Sequence, residues 1–518
     1  MRILVFHGYL LRGTGSNVYN ARLAAALARR GAIVDLLSQE RRPRELGFVD
    51  AVGTWVDGEP HVEIVREPVR VTAWRPDIGD LLPVYVADRY EGFEAKPFLE
   101  CTDEEITRYV ARNVAAVRAV AARARPDVAL ANHLVMGPLV LARGLDADVP
   151  YAVKVHGSAL EYTVKRDPER FLPAAREGLS LARTVLVGSR HTAESLWAAL
   201  GDDALPARTR LGPPGVEIDD FSPRPRAEAA AEVRTLATRL AAAAVVEEDH
   251  AFARDEAAAG RALATLDLEG GDRHVAFVGK LIVSKGIDLL AAAWPLVLAD
   301  VPDARLVIVG FGAFRAGLER LLAALEAGDL EAARALAAEG RALEGGPRAP
   351  LRHLLAFLDS LVGDELAAYR VAAARLGERV VVTGRLEHDE LAPLLAACEA
   401  QIVPSTFPEA FGMVAAEAAA CGVLPISAAH SGLAEVTAAL AAAVPAPAGP
   451  WLSFAVGDGA VRALAARIVA WLRAPEEIRA QTREALVAVA RERYSWEGVA
   501  AGVIAAAEGR HAELAEPV

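Results

Sequence analysis

Twice along its length the sequence alternates a short β-branched or apolar run, a turn, and an amphipathic stretch with helical spacing. Strands of that kind must be covered on both faces, which predicts parallel α/β sheets. In the first series the pattern predicts strands over 2–7, 33–37, 127–131, 151–155 and 184–187, with helices near 17–30, 104–124 and 190–200. Residues 40 to 100, rich in Pro, Trp, Tyr and acids, break the rhythm and read as a long excursion over one face. The turn-rich run Pro213-Pro214-Gly215 to Phe221-Ser222-Pro223 then reads as an interdomain linker. A second series predicts strands over 274–278, 305–310, 379–383, 400–403 and 423–427, with helices near 286–299, 388–397, 411–421 and 432–442. Two stretches interrupt it, 226–271 and 318–377, whose Ala, Glu, Leu and Arg favour helix. They read as inserted surface hairpins. The 518 residues are thus expected to form two domains, 1–215 and 216–495, the second enlarged by insertions. A helix near 476–492 is followed by Tyr494-Ser495-Trp496, an aromatic anchor ahead of a last helix to about 508.

Charge narrows the function. The chain carries 56 Lys and Arg against 69 Asp and Glu, net −13, which argues against a generic nucleic-acid or anionic-membrane binder. Any anionic ligand then needs a local basic site. Three well-separated cysteines, Cys101, Cys398 and Cys421, form no disulfide framework or metal-ligand cluster and suggest a reducing compartment. The N-terminus runs straight into a strand with no secretion-signal pattern, and no apolar window is long enough to span a bilayer. Lysine occurs only at Lys96, Lys154, Lys165, Lys280 and Lys285, so each is an uncommon choice in an arginine-rich chain.

The residues that carry chemistry lie in loops after predicted strands. Gly13-Thr14-Gly15-Ser16-Asn17-Val18-Tyr19 joins a strand to a helix whose first N–H groups suit a phosphate, but Val18 stands where a dinucleotide fingerprint has its third glycine. The loop is either a plain turn or a phosphate cradle. Gly310-Phe311-Gly312 fails the same fingerprint, with Arg315 in the third place. The loop Gly279-Lys280-Leu281-Ile282-Val283-Ser284-Lys285-Gly286 holds two of the five lysines at the carboxyl end of a predicted parallel strand, where ligands bind. It is the best diphosphate site in the sequence, although solvated lysines would look the same. In Pro404-Ser405-Thr406-Phe407-Pro408-Glu409-Ala410-Phe411-Gly412-Met413-Val414-Ala415-Ala416-Glu417, one acid sits in a loop and another about two turns into an apolar helix. A buried acid needs a partner, either ribose hydroxyls or an unseen arginine. His156, in Lys154-Val155-His156-Gly157, ends a first-domain strand and is either structural or catalytic.

In this order the early glycine loop, His156 in V-H-G, Gly188-Ser189, Pro214-Gly215-Val216 with Phe221, G-K-L…K-G, Gly384-Arg385-Leu386 and E-x7-E resemble glycosyltransferase family 4, with Asn17-Val18-Tyr19 similar to its inositol-phosphate and sucrose-phosphate branch. The resemblance covers most of the chain. It implies a GT-B fold, α/β, two Rossmann-like domains with parallel sheets facing a cleft, the first completed by the C-terminal helix 496–518. It implies retaining transfer of a sugar from a UDP-, GDP- or ADP-sugar to an acceptor hydroxyl by front-face displacement, with the nucleotide-sugar as substrate and no metal or other cofactor required. Lys280, Lys285, Glu409 and His156 would be catalytic. Gly15, Lys280, Lys285, Arg385, Leu386, Glu409, Phe411, Gly412, Met413, Val414 and Glu417 would bind the donor, and Asn17, Arg89 and Tyr90 the acceptor. Lys280 stands where the family commonly has arginine, and both insertions exceed the usual length. The competing readings are a nucleotide-sugar epimerase or other GT-B enzyme, and a nucleotide-sugar-binding protein without turnover. A cytoplasmic location is expected, with peripheral contact at the inner face of a membrane, the acceptor and the oligomeric state left open.

Overall fold

In the computed structural model, which describes residues 1–13, 15–56, 58–85, 92–243 and 254–517, the Val-, Ile- and Leu-rich runs form the strands of two separate parallel sheets. Each sheet belongs to its own unit. The first unit comprises Met1–Gly215 with Tyr494–Val518, and the second the described residues of Val216–Asp249 and Ala253–Arg493.

The first unit contains β1 (Arg2–Phe6), β2 (Ile33–Leu37), β3 (Ala51–Val56), β4 (Glu59–Ile64), β5 (Val71–Trp74), β6 (Leu81–Val84), β7 (Glu94–Pro97), β8 (Val128–Asn132), β9 (Tyr151–Val155), β10 (Thr184–Val187) and β11 (Thr209–Leu211). Nine of them form one sheet in the order β11-β10-β9-β8-β1-β2-β5-β3-β4, parallel except where β3 meets β4, while β6 and β7 pair alone. Chain order reverses between β1 and β8, the place where such sheets open a crevice beyond the carboxyl ends of their strands. The excursion expected over residues 40–100 is corrected here: β3, β4 and β5 extend the sheet itself instead of lying across its face. They are short, and β4, Glu-Pro-His-Val-Glu-Ile, is an edge strand with mostly exposed side chains, so no apolar run announced it.

The last helix, Trp496–Glu508, packs beside the helix Gly15–Arg29, where Tyr19, Leu23, Leu27, Trp496, Ala500 and Val503 share one buried cluster. Ser495 caps it through Gly498 N at 3.3 Å, and Thr184 Oγ1 donates to Ala506 O at 2.7 Å. The Trp496 ring lies 5.5 Å from Tyr19 and fills the space beside Gly215, where a Cβ would come within 2.5 Å of it. The aromatic anchor therefore docks at the point where the chain leaves this unit.

The second unit contains β12 (Arg273–Val278), β13 (Ala304–Val309), β14 (Val380–Gly384), β15 (Ala400–Val403), β16 (Leu424–Ala428) and β17 (Ser453–Phe454). Their order β14-β13-β12-β15-β16-β17 is parallel throughout and is that of a dinucleotide-type fold, with its switch point between β12 and β15. The first insertion is a helical hairpin, Arg226–Ala241 against Glu256–Ala264, tied by Arg239 and Arg254 to the buried Glu390. The second is not a hairpin. It is a succession of helices, Arg315–Glu326, Leu330–Glu339, Arg352–Ser360 and Gly363–Ala373, that buries Leu318, Leu325, Phe357 and Tyr369. Tyr369 Oη donates to Ala292 O at 3.0 Å in the buried helix Ile287–Asp300, so these helices enlarge the core instead of decorating a surface.

Trp496→Ala removes one of the largest fully buried side chains and is expected to cost roughly 3–5 kcal/mol in chemical denaturation. A second expectation concerns Lys154 in β9. It is buried, donates to Gly212 O, sits 5.7 Å from the Tyr19 ring, and has no carboxylate partner among the described residues. Burial pushes its pKa down to about 7. From pH 7 toward 10 the folded protein has released this proton while the unfolded chain still holds it, so this residue's contribution to stability rises with pH. The stability of wild type minus that of Lys154→Met should therefore climb by roughly 2–4 kcal/mol over that window. Denaturation of both proteins at several pH values measures it, and a flat difference contradicts the burial of an unpaired ammonium.

Candidate functional site

In the second unit, loops leaving the carboxyl ends of five strands meet. After β12 the lysine loop turns back so tightly that a Cβ at Gly310, in the loop after β13, would lie 2.0 Å from Gly279 O. Leu281 N donates to Phe311 O at 2.7 Å, and Phe314 N to Leu281 O at 2.9 Å. Gly286 closes the loop at φ +68°, with room for no Cβ because Pro404 O would be 1.9 Å away. Thr406 N, after β15, donates to Ser284 O at 2.9 Å. These close backbone contacts bring Lys285 to Glu409, and the two form a salt bridge.

Glu409 is held from three further directions. Ser405 Oγ donates to its Oε1 at 2.6 Å, Ser431 Oγ accepts its N–H at 2.9 Å, and Gly432 N donates to its carbonyl at 2.9 Å. His430, in the loop after β16, fixes the same turn through Ser405 O at 2.7 Å and Ser431 Oγ at 3.1 Å. Next comes the helix Met413–Ala420, whose first N–H groups, near Phe411, Gly412, Met413 and Val414, give this end of the unit a positive dipole.

Lys280, Arg385, Leu386 and Glu417 stand on neighbouring loops and on that helix. Lys280 Nζ and the Arg385 guanidinium lie 6.0 and 5.6 Å from the Phe311 ring, so the loops after β12, β13 and β14 share one cationic and aromatic surface. Arg385 also pairs with Glu387 at 2.9 Å, and Leu386 lies beside it, half-buried. Glu417 is buried in the helix, with His388 Nε2 3.4 Å from its Oε1, and the His388 ring packs on Phe221 at 4.8 Å. Ser405, His388, His430 and Ser431 escaped the sequence reading. His430 and Ser431 follow the predicted strand 423–427 at its carboxyl end, the signal that would have selected them.

The first unit builds a different cluster at the carboxyl ends of β1, β8 and β9. His156 Nε2 donates to Asn132 Oδ1 at 2.8 Å, Asn132 Nδ2 to Asn20 Oδ1 at 2.7 Å, and Asn20 Nδ2 to His7 Nδ1 at 3.0 Å. His7 Nε2 then donates to Leu10 O and Asn17 Oδ1, both at 3.0 Å, and Asn17 Nδ2 to Arg12 O at 2.7 Å. This directional chain assigns His156 the Nε2–H tautomer and leaves Nδ1 as an acceptor on a partly exposed ring. Burial lowers the His7 pKa to about 4 and drives His156 and His133 well below the ordinary imidazole range, with neighbouring His133 and Lys154 adding to the effect at His156. All three rings are neutral at pH 7. His133 is packed by Tyr85 at 4.6 Å, His156 at 4.9 Å, Tyr9 at 5.4 Å and His7 at 5.8 Å.

Asn17, expected to touch an acceptor, has a buried side chain whose amide oxygen accepts from His7 and whose amide nitrogen donates to Arg12 O, which ties it to the glycine loop. At Gly15, the first residue of its helix, a Cβ would meet nothing within 4 Å, so the loop leaves space there. Arg89 and Tyr90 lie outside the described residues. His7, Asn20, Asn132 and His133 were missed, although Asn132-His133 directly follows the predicted strand 127–131.

Comparison with known proteins agrees with this architecture. The profile of the glycosyl transferase 4-like domain matches residues 14–215, and that of glycosyl transferases group 1 matches residues 361–491. D-inositol 3-phosphate glycosyltransferase of Segniliparus rotundus is 26% identical over 300 residues, 58% of this chain but only 46% of that relative's length. Among solved structures, sucrose-phosphate synthase from Thermosynechococcus elongatus superposes with a TM-score of 0.57 at 20% identity, covering 99% of both chains. The catalytic domain of starch synthase IV from Arabidopsis thaliana, bound to ADP and acarbose, superposes with a TM-score of 0.55 at 13% identity, covering 98% of both. HepE of Anabaena in complex with UDP-glucose gives 0.52 at 17% identity, covering 97% of this chain and 98% of that one. With two matched domains spanning more than half of its length and the strand order of both sheets, the chain belongs to the family-4-type glycosyltransferases of the GT-B fold.

Proposed function

We propose that this protein is a retaining glycosyltransferase that moves a sugar from a nucleotide-sugar to an acceptor hydroxyl. The observation that carries the reading is the Lys285–Glu409 pair, anchored by Ser405 and Ser431 at the switch point between β12 and β15. In this reading Lys280 and Lys285 neutralise the diphosphate, Glu417 holds the ribose, and Arg385 and Leu386 border the base. Glu409 and the N–H groups of Phe411 to Val414 orient the sugar. In the first unit Gly15 makes room for the diphosphate, and His156, neutral and with Nδ1 free to accept, binds a hydroxyl of the donor sugar. The bond from the anomeric carbon to the diphosphate oxygen breaks, and the electron pair leaves with the diphosphate. The acceptor oxygen bonds to that carbon on the same face, and its proton passes to the departing phosphate oxygen. Positioned cations serve such a step because negative charge grows on the leaving group; two lysines suffice for that task without a metal.

The acceptor we propose is a small polyol or sugar, free or phosphorylated. The names of the inositol phosphate and sucrose-phosphate relatives support it. Among the described residues no helix is long and apolar enough to cross a membrane. We place the enzyme in the cytoplasm, with peripheral contact at the inner face of the membrane.

Lys285→Ala should weaken binding of the cognate nucleoside diphosphate by roughly ten- to a hundredfold, the worth of a charged hydrogen bond. Calorimetry with UDP, ADP and GDP measures it, and equal affinity in the variant sinks the donor site. Asn132→Leu takes away the acceptor that orients His156, and turnover should fall about tenfold with nucleoside diphosphate affinity kept within about twofold. Mass spectrometry of donor and acceptor mixtures separates the remaining readings. Transfer with the anomeric configuration kept supports this one, an epimer formed without acceptor supports an epimerase, and binding with no turnover supports a non-catalytic protein.

A further inference from the structure

The second insertion does more than thicken the core, for one of its residues reaches the lysine loop. Between the helices Leu330–Glu339 and Arg352–Ser360 the chain makes the short turn Arg341–Glu344. This turn is built tightly: Gly340 sits at φ +54° where a Cβ would be 1.9 Å from Ala349 O, Arg341 N donates to Ala349 O at 3.0 Å, and Gly345 reverses the chain at φ +82°. Leu343 packs against the start of the helix Arg315–Glu326, with its Cβ 3.1 Å from where a Cβ on Gly317 would stand. The outcome is a carboxylate held in place: Glu344, 11% exposed, accepts the N–H of Val283 at 2.8 Å, and Arg341 Nε balances its charge at 3.1 Å.

Val283 lies midway between Lys280 and Lys285. Its loop is fastened on the far side by Thr406 N to Ser284 O and by Lys285 to Glu409, and at its base by Leu281 to Phe311 and Phe314. Val283 N–H opens the single turn Val283–Lys285 and has no acceptor within that turn, so the bond from Glu344 satisfies a donor and fixes the orientation of the peptide ahead of Lys285. A carboxylate bonded to the loop that carries two lysines meant for an anion is unfavourable for charge alone. Its use is geometric.

We propose that Glu344 is a positioning residue of the donor site, through which the inserted helices set the lysine loop for the leaving diphosphate. The inference rests on the reading of Lys280 and Lys285 as diphosphate contacts and adds to it a residue from outside the matched motifs. A backbone displaced by a fraction of an ångström moves both ammonium groups, and misplacement of that order is costly where charge must be met at a defined point.

The test uses the full chain, with UDP, ADP and GDP each titrated by calorimetry and the donor then identified by turnover. Glu344→Ala should raise the Kd of the cognate nucleoside diphosphate and the KM of the donor by roughly tenfold while kcat stays within about twofold. Glu344→Gln, which keeps an oxygen for Val283 N–H but discards the charge, should restore affinity to within about twofold of wild type. Hydrogen exchange on the wild-type protein without nucleotide should show the Val283 amide protected, a readout that a misfolded variant does not compromise. If wild type binds no nucleoside diphosphate, the donor-site reading fails and this inference with it. If wild type binds and Glu344→Ala binds equally well, if Glu344→Gln is as weak as Glu344→Ala, or if the Val283 amide exchanges freely, this inference alone is overturned.

Discussion

Lys285 and Glu409 are 124 residues apart in sequence, and their meeting depends on how closely two backbones approach at the switch point of the second sheet. The approach is set by glycines. A Cβ at Gly286 would lie 1.9 Å from Pro404 O and one at Gly310 2.0 Å from Gly279 O, so only glycine admits this approach of the loops after β12, β13 and β15. Ser405, Ser431 and His430 then act on a geometry that the glycines have made available. The order of causes runs from parallel strand order, to loops gathered at one edge, to backbone contact, to an ion pair with little freedom left.

The first unit reaches fixed geometry by another route. Among the described residues its cluster contains no ion pair; a chain of amides and imidazoles runs from His156 through Asn132 and Asn20 to His7 and Asn17, each donating to the next. Neutral groups suit this position because burial has already stripped the histidines of their protons at pH 7. A buried imidazolium would need a carboxylate beside it, and that carboxylate would repel a phosphorylated ligand. The network thus fixes a tautomer and a ring orientation while adding no charge of its own.

Strands that are mostly apolar were legible because burial on both faces imposes composition on them: β1, β2, β8, β9, β10, β12, β13, β14, β15 and β16 fall where the apolar runs stand. Strands β3 to β5 were not. They extend an edge, where β4 needs only one partner, and Pro, Trp and Glu are tolerated there. In the site, sequence spacing singled out Lys280, Lys285, Glu409 and Glu417 because charged side chains are conspicuous in loops and apolar helices. Asn20, Asn132, His388 and Glu344 act through partners distant in sequence, and a hydrogen bond across the fold leaves no trace in local spacing. Asn17 shows the converse. Its motif was visible, but its hydrogen bond to His7 was disclosed only by the fold.

The scarcity of lysine gains a physical meaning from these placements. Arginine carries nearly all of the surface pairing, as in Arg143 with Glu177 and Arg462 with Glu365, where a planar fork meets a carboxylate. Lys96 and Lys165 make such pairs too, so lysine is not reserved for a single purpose. Lys154 occupies a slot beside Tyr19 whose acceptor is one carbonyl, Gly212 O, and a guanidinium would bury donors that this carbonyl cannot satisfy. Lys285 must serve Glu409 and, in the proposed reaction, a phosphate oxygen. An ammonium with rotatable protons divides between two acceptors more readily than a rigid fork committed to one. The net charge of −13 then measures surface that takes no part in this chemistry, while the cations that do are few and are held by backbone contacts that the bulk composition does not reveal.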